Sequence, residues 1–380
     1  MQQEFKDLES HLNTYYPGRV QMVKAGMATI GAVSIKDNRQ CIATKYQGKS
    51  GSFKTTAASF FFPSCEELRE YIHREDSFTP KSFVSHRGDK TKETLSKIDL
   101  LPKLRNKTLV SKEDATFFRC HKNEREDLFS RTASVLDGRG YVCSTGVHGR
   151  RGYEEDIYFT WLGCTTPLSM ESHKIMGNLG QRFVFYNSDQ SQLTDEELAQ
   201  FLMSPNSQIE DETRDKMNQF LLTYFAKYPP NEVMQETVTV SNSQRLELAR
   251  YANLTAKLRS VFSYKEEKNG DVRHGSPVME DTRRLANIFK VLAIGSALMH
   301  DRNALDRIDL DIIRHMSLSS MPEHRRIVFN YLLETEKGEL GIGDLVKRTG
   351  ISKPTGLHYM TELSLLGIGK FHEYGGDFPQ

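Results

Sequence analysis

Gly48-Lys49-Ser50-Gly51-Ser52-Phe53-Lys54-Thr55-Thr56 decides how this chain is read. The run keeps the spacing G-x-x-x-x-G-K-[ST] of a phosphate-binding loop. Gly48 opens it, Lys54 is the lysine and Thr55 the hydroxyl residue. Phe53 stands where the second glycine is expected. It fits if its φ is negative and its ring turns away from the phosphates. The β-compatible run Cys41-Ile42-Ala43-Thr44 comes before the loop, and a helix-compatible run, 55–62, comes after. Strand, loop and helix in that order aim backbone N–H groups and a helix N-terminus at one point. Lys54 would then meet the terminal phosphates of ATP and Thr55 a magnesium ion. The other reading is a Gly/Ser-rich surface turn that happens to contain Lys-Thr.

Upstream, 1–40 reads as a helical lead-in, with Leu8, Leu12 and Tyr15/Tyr16 at helical spacing and a break at Pro17-Gly18. Its second run, 20–33, is apolar enough to pack on a sheet. Downstream, 65–73 reads as an amphipathic helix with Leu68 and Ile72 inward, and 77–85 as a strand. Residues 108–111 read as a buried strand that runs into Glu113-Asp114. A nucleotide hydrolase needs one carboxylate there for magnesium and a second to orient water. Glu113 takes the first role and Asp114 the second. The alternative is an acidic pair opening a helix.

Residues 123–136 form a helix, stopped by Asp137-Gly138-Arg139-Gly140. Two β-prone runs, 141–147 and 153–159, then flank His148-Gly149-Arg150-Arg151-Gly152, so a hairpin with a basic tip is expected. Its arginines suit DNA phosphates, or else answer the neighbouring Glu154 to Asp156. The strand 160–165 ends in hydroxyls. Thr165 suits a γ-phosphate sensor, or simple turn chemistry before Pro167. Arg182 precedes the edge strand 183–186. It suits either an arginine finger or a sheet-edge salt bridge.

Composition bounds the rest. The chain has 380 residues, 38% hydrophobic and 27% charged, so it is long enough for two or three domains and is globular. Its net charge is +1, from 51 basic and 50 acidic residues. No global field draws it to nucleic acid or membrane, so DNA contact has to come from a local patch. The five cysteines are scattered, with no C-x-x-C pair, which fits a reducing cytosol rather than a zinc or disulfide scaffold. The first twelve residues are polar, unlike a signal peptide. No apolar run approaches the ~20 residues of a membrane helix.

Beyond Asn187 the pattern turns helical, over 194–203, 213–228, 243–262, 282–293 and 304–316, with a polar loop at 265–277. The last 60 residues give three helices (323–333, 342–348, 352–366) and a short wing at 368–374. That is a winged helix-turn-helix. Residues 322–380 hold seven Lys/Arg against eight Asp/Glu. Lys353 opens the third helix, but docking onto protein is a rival to reading DNA.

In this order the motifs resemble an AAA+-type P-loop ATPase of phage and mobile-element kind, distantly similar to minichromosome maintenance and superfamily 3 helicases. Variant loops ending Gly-Ser-Phe-Lys-Ser/Thr occur in such ATPases. The resemblance implies an α/β fold: a P-loop NTPase core over 41–189, a helical lid over 190–320 and a winged helix over 321–380. It implies a hairpin whose tip, His148, Arg150 and Arg151, enters a DNA channel. Gln181-Arg182-Phe183 stands for the Ser-Arg-Phe finger motif of those helicases. Thr282-Arg283-Arg284-Leu285 stands for their sensor-2 motif, so Arg283 or Arg284 would serve. The function implied is an ATP- and magnesium-dependent DNA motor, cytoplasmic and working as a homo-oligomeric ring. The rivals are a nucleotide-dependent regulator acting through its winged helix, and a degenerate ATP-binding subunit.

Overall fold

A computed structural model describes residues 1–38, 40–85, 90–119, 122–146, 149–188, 206–266, 272–336, 338–370 and 372. Among the described residues the strands are β1 Ile42–Gln47, β2 Ile72–Glu75, β3 Thr108–Ser111, β4 Tyr141–Thr145, β5 Gly149–Tyr153, β6 Thr160–Thr165, β7 Phe183–Asn187, and a short antiparallel pair, β8 Tyr264–Glu266 and β9 Val272–His274, where a polar loop was expected. Five of them form one parallel sheet in the order β2-β3-β6-β1-β7. Parallel strands are covered on both faces and read as continuous apolar runs. All six residues of β1 and of β6 are buried. This mixed α/β architecture fits a P-loop NTPase-like core. The connection from β6 to β7 passes β1, so chain order reverses about β1. Open parallel sheets bind ligands at such a switch point, beyond the C-terminal strand ends.

The helix Val20–Gly31 is buried at every position but Gln21, and it packs on the sheet. Tyr46 Oη donates to the Met22 carbonyl at 2.7 Å and Thr29 Oγ1 to Thr44 Oγ1 at 2.7 Å. On its other side lies the helix Thr282–Met299, crossing where Gly31 meets Gly295. The helix Arg307–Ser319 guards the exposed edge of β7. His315 Nε2 pairs with the Asn187 carbonyl at 3.1 Å, and Phe185 N–H donates to Ser320 Oγ at 3.0 Å. A covered edge cannot recruit a stray strand. One apolar cluster runs from Phe5 to Met316, so the helices of 206–319 share their core with the sheet.

The helices Glu323–Glu334, Ile342–Thr349 and Lys353–Leu365 gather around a smaller cluster of Val328, Phe329, Leu345 and Leu363. Gly350, at φ 71°, makes the turn between the last two. Buried Arg325 fastens this unit to the rest. It donates to the carbonyls of Leu258 at 2.7 Å and Ser260 at 2.6 Å, and to Glu362 at 2.7 Å. Of the wing expected at 368–374, the described residues 368–370 and 372 form no strand and the rest lie outside the described residues, as does the whole helix at 194–203.

Three local expectations change. Residues 77–85 are not a strand but an irregular segment with a 3-10 turn at Pro80–Ser82; the sheet position is taken by β2. The helix before β2 is only Glu66–Arg69, although Leu68 and Ile72 both point inward. The hairpin's second strand is β5, Gly149–Tyr153, and not 153–159, so Arg150 and Arg151 lie on a strand and not at the tip. No described helix is long and apolar enough to cross a membrane.

The Gly31–Gly295 crossing gives a signed test. Alanine in a helix interior normally gains about 1 kcal/mol over glycine. A Cβ at Gly295 would lie 2.5 Å from the Ala28 carbonyl oxygen and 2.7 Å from Ala32 N. Gly295→Ala is therefore expected to destabilise by ~1–3 kcal/mol, read as a lowered melting temperature.

Glu362 gives a pH test. Burial alone raises its carboxyl, but the His324 hydrogen bond and the Arg325 charge outweigh burial and hold it at about 2, against 4.5 when free. Its contribution is complete above pH 4.5 and lost as pH falls towards 2. In unfolding curves over that window, Glu362→Gln should flatten the acid-side loss of stability.

Candidate phosphate-binding site

The loop leaves β1 at Gln47 and enters the helix Lys54–Ser59. In register, Gln47 pairs with Thr165 of β6 and Asn187 of β7, so three strand ends surround the loop's root. Gly48 N–H donates to the Thr165 carbonyl at 3.2 Å. A Cβ at Gly48 would collide with Ser188 Oγ and lie 2.5 Å from Ser52 Oγ. Gly51 has φ 78°, which glycine adopts without strain. Lys54 is buried, its ammonium donating back across the loop to the Lys49 carbonyl at 2.8 Å. Lys49 and Ser50 lie exposed on the outer turn, and Thr55 and Thr56 are half-buried in the first helical turn. The N–H groups of that turn have no intrahelical partner. An ammonium, a hydroxyl and free-facing amides around a glycine-tight cradle form a donor set that fits a polyphosphate.

Phe53 corrects one expectation. Its φ is positive, 67°, so it keeps the left-handed shape of the glycine it replaces. Its ring does turn outward, packing on Tyr16 at 5.1 Å and Phe60 at 5.9 Å.

The two acids part company. Glu113 is exposed and accepts the Ala115 N–H at 2.8 Å, a helix-start cap. Asp114 is fully buried and paired with Lys45 Nζ at 2.7 Å. Lys45 also lies 3.0 Å from the centre of the Trp161 ring. Burial pulls its ammonium down to about 8, against the raising effect of Asp114. This pair crosses β6 over Gly163, where any Cβ would collide with Asp114 Oδ2. Asp114 is thus closed to water, and the expected water-orienting position is not met here. Sequence pointed to neither Lys45 nor Gly163. A lysine ordinarily ends a buried strand, and the one available signal was a glycine inside an otherwise apolar β6. The Cys164 thiol, raised by burial, feels the charges of Asp114, Lys54, Lys45 and Glu113 together, so these groups form one neighbourhood. Among the described residues no cluster of three or more His, Cys, Asp or Glu could hold a metal alone. Thr55 and Glu113 could share magnesium only with phosphate and water.

The remaining candidates lie elsewhere. Arg182 precedes β7 and so sits at the opposite, N-terminal edge of the sheet. It forks onto Asp137 at 2.8 and 3.3 Å. Arg284 reaches the same place: both guanidinium groups converge on Gly180. Burial, then the Arg182 charge, lower Arg284. Arg283 is exposed and pairs with Asp281 at 2.9 Å. None of the three joins the loop of its own chain.

On the hairpin, Arg150 is exposed and paired with Glu154 at 2.6 Å. Arg151 does not project, contrary to expectation. It is buried against Asp99 at 2.7 Å, because the strand alternation that turns Arg150 out turns Arg151 in. His148 lies outside the described residues. Lys353 is exposed at the start of its helix.

No protein-family model and no curated protein matches the chain. Among solved structures it is similar to a protein described as a "putative ATPase" from Cytophaga hutchinsonii. The two are 13% identical with a TM-score of 0.40, over 95% of this chain and 94% of the other.

The Lys45–Asp114 pair predicts non-additive mutants. Lys45→Met leaves a buried carboxylate unpaired and is expected to cost ~3–5 kcal/mol. Adding Asp114→Leu should recover most of that loss in urea unfolding.

Proposed function

We propose that this chain hydrolyses ATP as a homo-oligomer and works on DNA. The observation that carries it is the loop at the switch point of a parallel sheet, with Lys54 folded into it. Lys54 would neutralise the terminal phosphates, and Thr55 and Glu113 would hold magnesium, which shields phosphate charge when bound. Thr165, beside Gly48, is buried with its hydroxyl donating to the Thr166 carbonyl at 3.1 Å, so it shapes the root of the loop. Glu113 is the acid left to face the reaction, while Asp114 anchors the strand end through Lys45. Arg182 and Arg284 serve a neighbour's nucleotide. Strands of five or six residues span roughly 17–20 Å, too far for these arginines to reach their own loop. DNA contact falls to Arg150 on the hairpin, to Lys353, and to His148 if the tip engages.

The regulator reading has its own support. Arg151 is spent on Asp99, and Arg325 ties the helix-turn-helix unit to the core rather than freeing it. ATP-dependent DNA binding without DNA-stimulated turnover would favour it.

The test is complementation. Lys54→Ala should lose turnover on the order of 100-fold. Arg182→Ala should bind ATP normally yet lose turnover on the order of 1,000-fold. A mixture of the two should recover part of the wild-type rate, since wild-type loops would then meet wild-type arginines. No recovery, with both variants folded and assembled, removes the arginine role.

A further inference from the structure

Phe53 raises a question that the loop's chemistry does not answer. An L-residue in the left-handed region costs roughly 1–2 kcal/mol, and glycine would take that conformation freely. Such a residue persists only where its surroundings hold it. Here the holders come from outside the loop. The Tyr16 ring packs at a tilt, 5.1 Å from the Phe53 ring, and the Arg19 guanidinium lies over it at 5.6 Å. Arg19 also donates to the Ser188 carbonyl at 3.1 Å. Ser188 Oγ in turn meets Ser52 Oγ at 2.8 Å and the Gln47 carbonyl at 3.0 Å. Arg19 therefore grips the loop twice, through the Phe53 ring and through Ser188. Its own position is set by the helix Val20–Gly31, which is buried at every position but Gln21. Arg19 and Ser188 also border a cavity of about 410 Å³ beside the loop, with Tyr186, Asn187 and His315 on its walls.

We infer that Arg19 and Phe53 are positioning residues for the phosphate loop: a cation–aromatic latch that does the holding a glycine loop does not need. The inference rests on the loop being a nucleoside-triphosphate site. Phe53 gives the loop a handle, and Arg19 and Tyr16, from the turn before the helix, hold it. Loop shape, and with it phosphate affinity, depends on a contact outside the motif. A latch on the loop affects every polyphosphate ligand, whereas an arginine that merely touched the nucleoside would affect ATP alone.

The experiment measures binding of ATP and of inorganic tripolyphosphate by calorimetry, with melting temperatures alongside. Arg19→Ala and Phe53→Ala should each weaken both probes, by about tenfold for a cation–π contact of this kind. The double variant should lose less than the product of the two single losses, because the Arg19–Phe53 contact is common to both. Arg19→Lys and Phe53→Tyr keep a cation and a ring and should keep most of the affinity. Three results overturn the latch: wild-type binding of both probes by the alanine variants, losses that multiply in the double variant, or a loss confined to ATP. Lys54→Ala separates this from the underlying reading. If it binds both probes as the wild type does, or the wild type binds no ATP, the loop assignment falls and the latch with it.

Discussion

The buried ion pair between Lys45 and Asp114 ties together the three strands under the loop. Lys45 starts on β1, passes over Gly163 on β6 and ends on the carboxylate just beyond β3. Removing two charges from water costs several kcal/mol each, repaid only by close geometry. The pair meets that condition at 2.7 Å, with the Trp161 face beneath the ammonium and Trp161 Nε1 donating to Ser111 at 2.7 Å. Such a pair fixes register more than it adds stability. A slip of β6 by one residue would put a side chain where Gly163 must be empty. The relative heights of Gly48, Thr165 and Glu113 follow from it.

The sheet then separates two kinds of chemistry. At its C-terminal edge stand the loop, Thr165 and Glu113. At its N-terminal edge stand Arg182 and Arg284 around Gly180, with Arg259 buried behind them. Within one chain the two sets do not meet. The proposed catalysis therefore needs a second chain to bring the arginines of one edge to the loop of another. The helices of 206–319 share the sheet's core, so movement at one edge has a packed route to the other.

Much of this was legible in the residues. The loop spacing, the run at 108–111, the strands at 160–165 and 183–186, and the three C-terminal helices all follow from local patterns, and they lie within a residue of where those patterns put them. Side-chain direction was less legible. Arg150 and Arg151 are adjacent and chemically identical, yet strand alternation sends one to solvent and the other to Asp99, a partner 52 positions away. Asp114 looked like an active acid because its partner, Lys45, sat in a strand that its charge seemed to end. Phe53 looked like a defect in the loop. Its holders, Tyr16 and Arg19, lie more than 30 residues upstream, and no spacing rule connects them. Local pattern finds elements; which long-range partner neutralises a charge or holds a strained residue is decided by packing.

The central claim is that nucleotide turnover needs two edges from two chains. Steady-state ATP turnover per chain, measured across protein concentration with and without DNA, tests it most directly. The specific rate should climb steeply as chains assemble and rise further with DNA. A specific rate that stays constant down to concentrations where the chain is monomeric would contradict it.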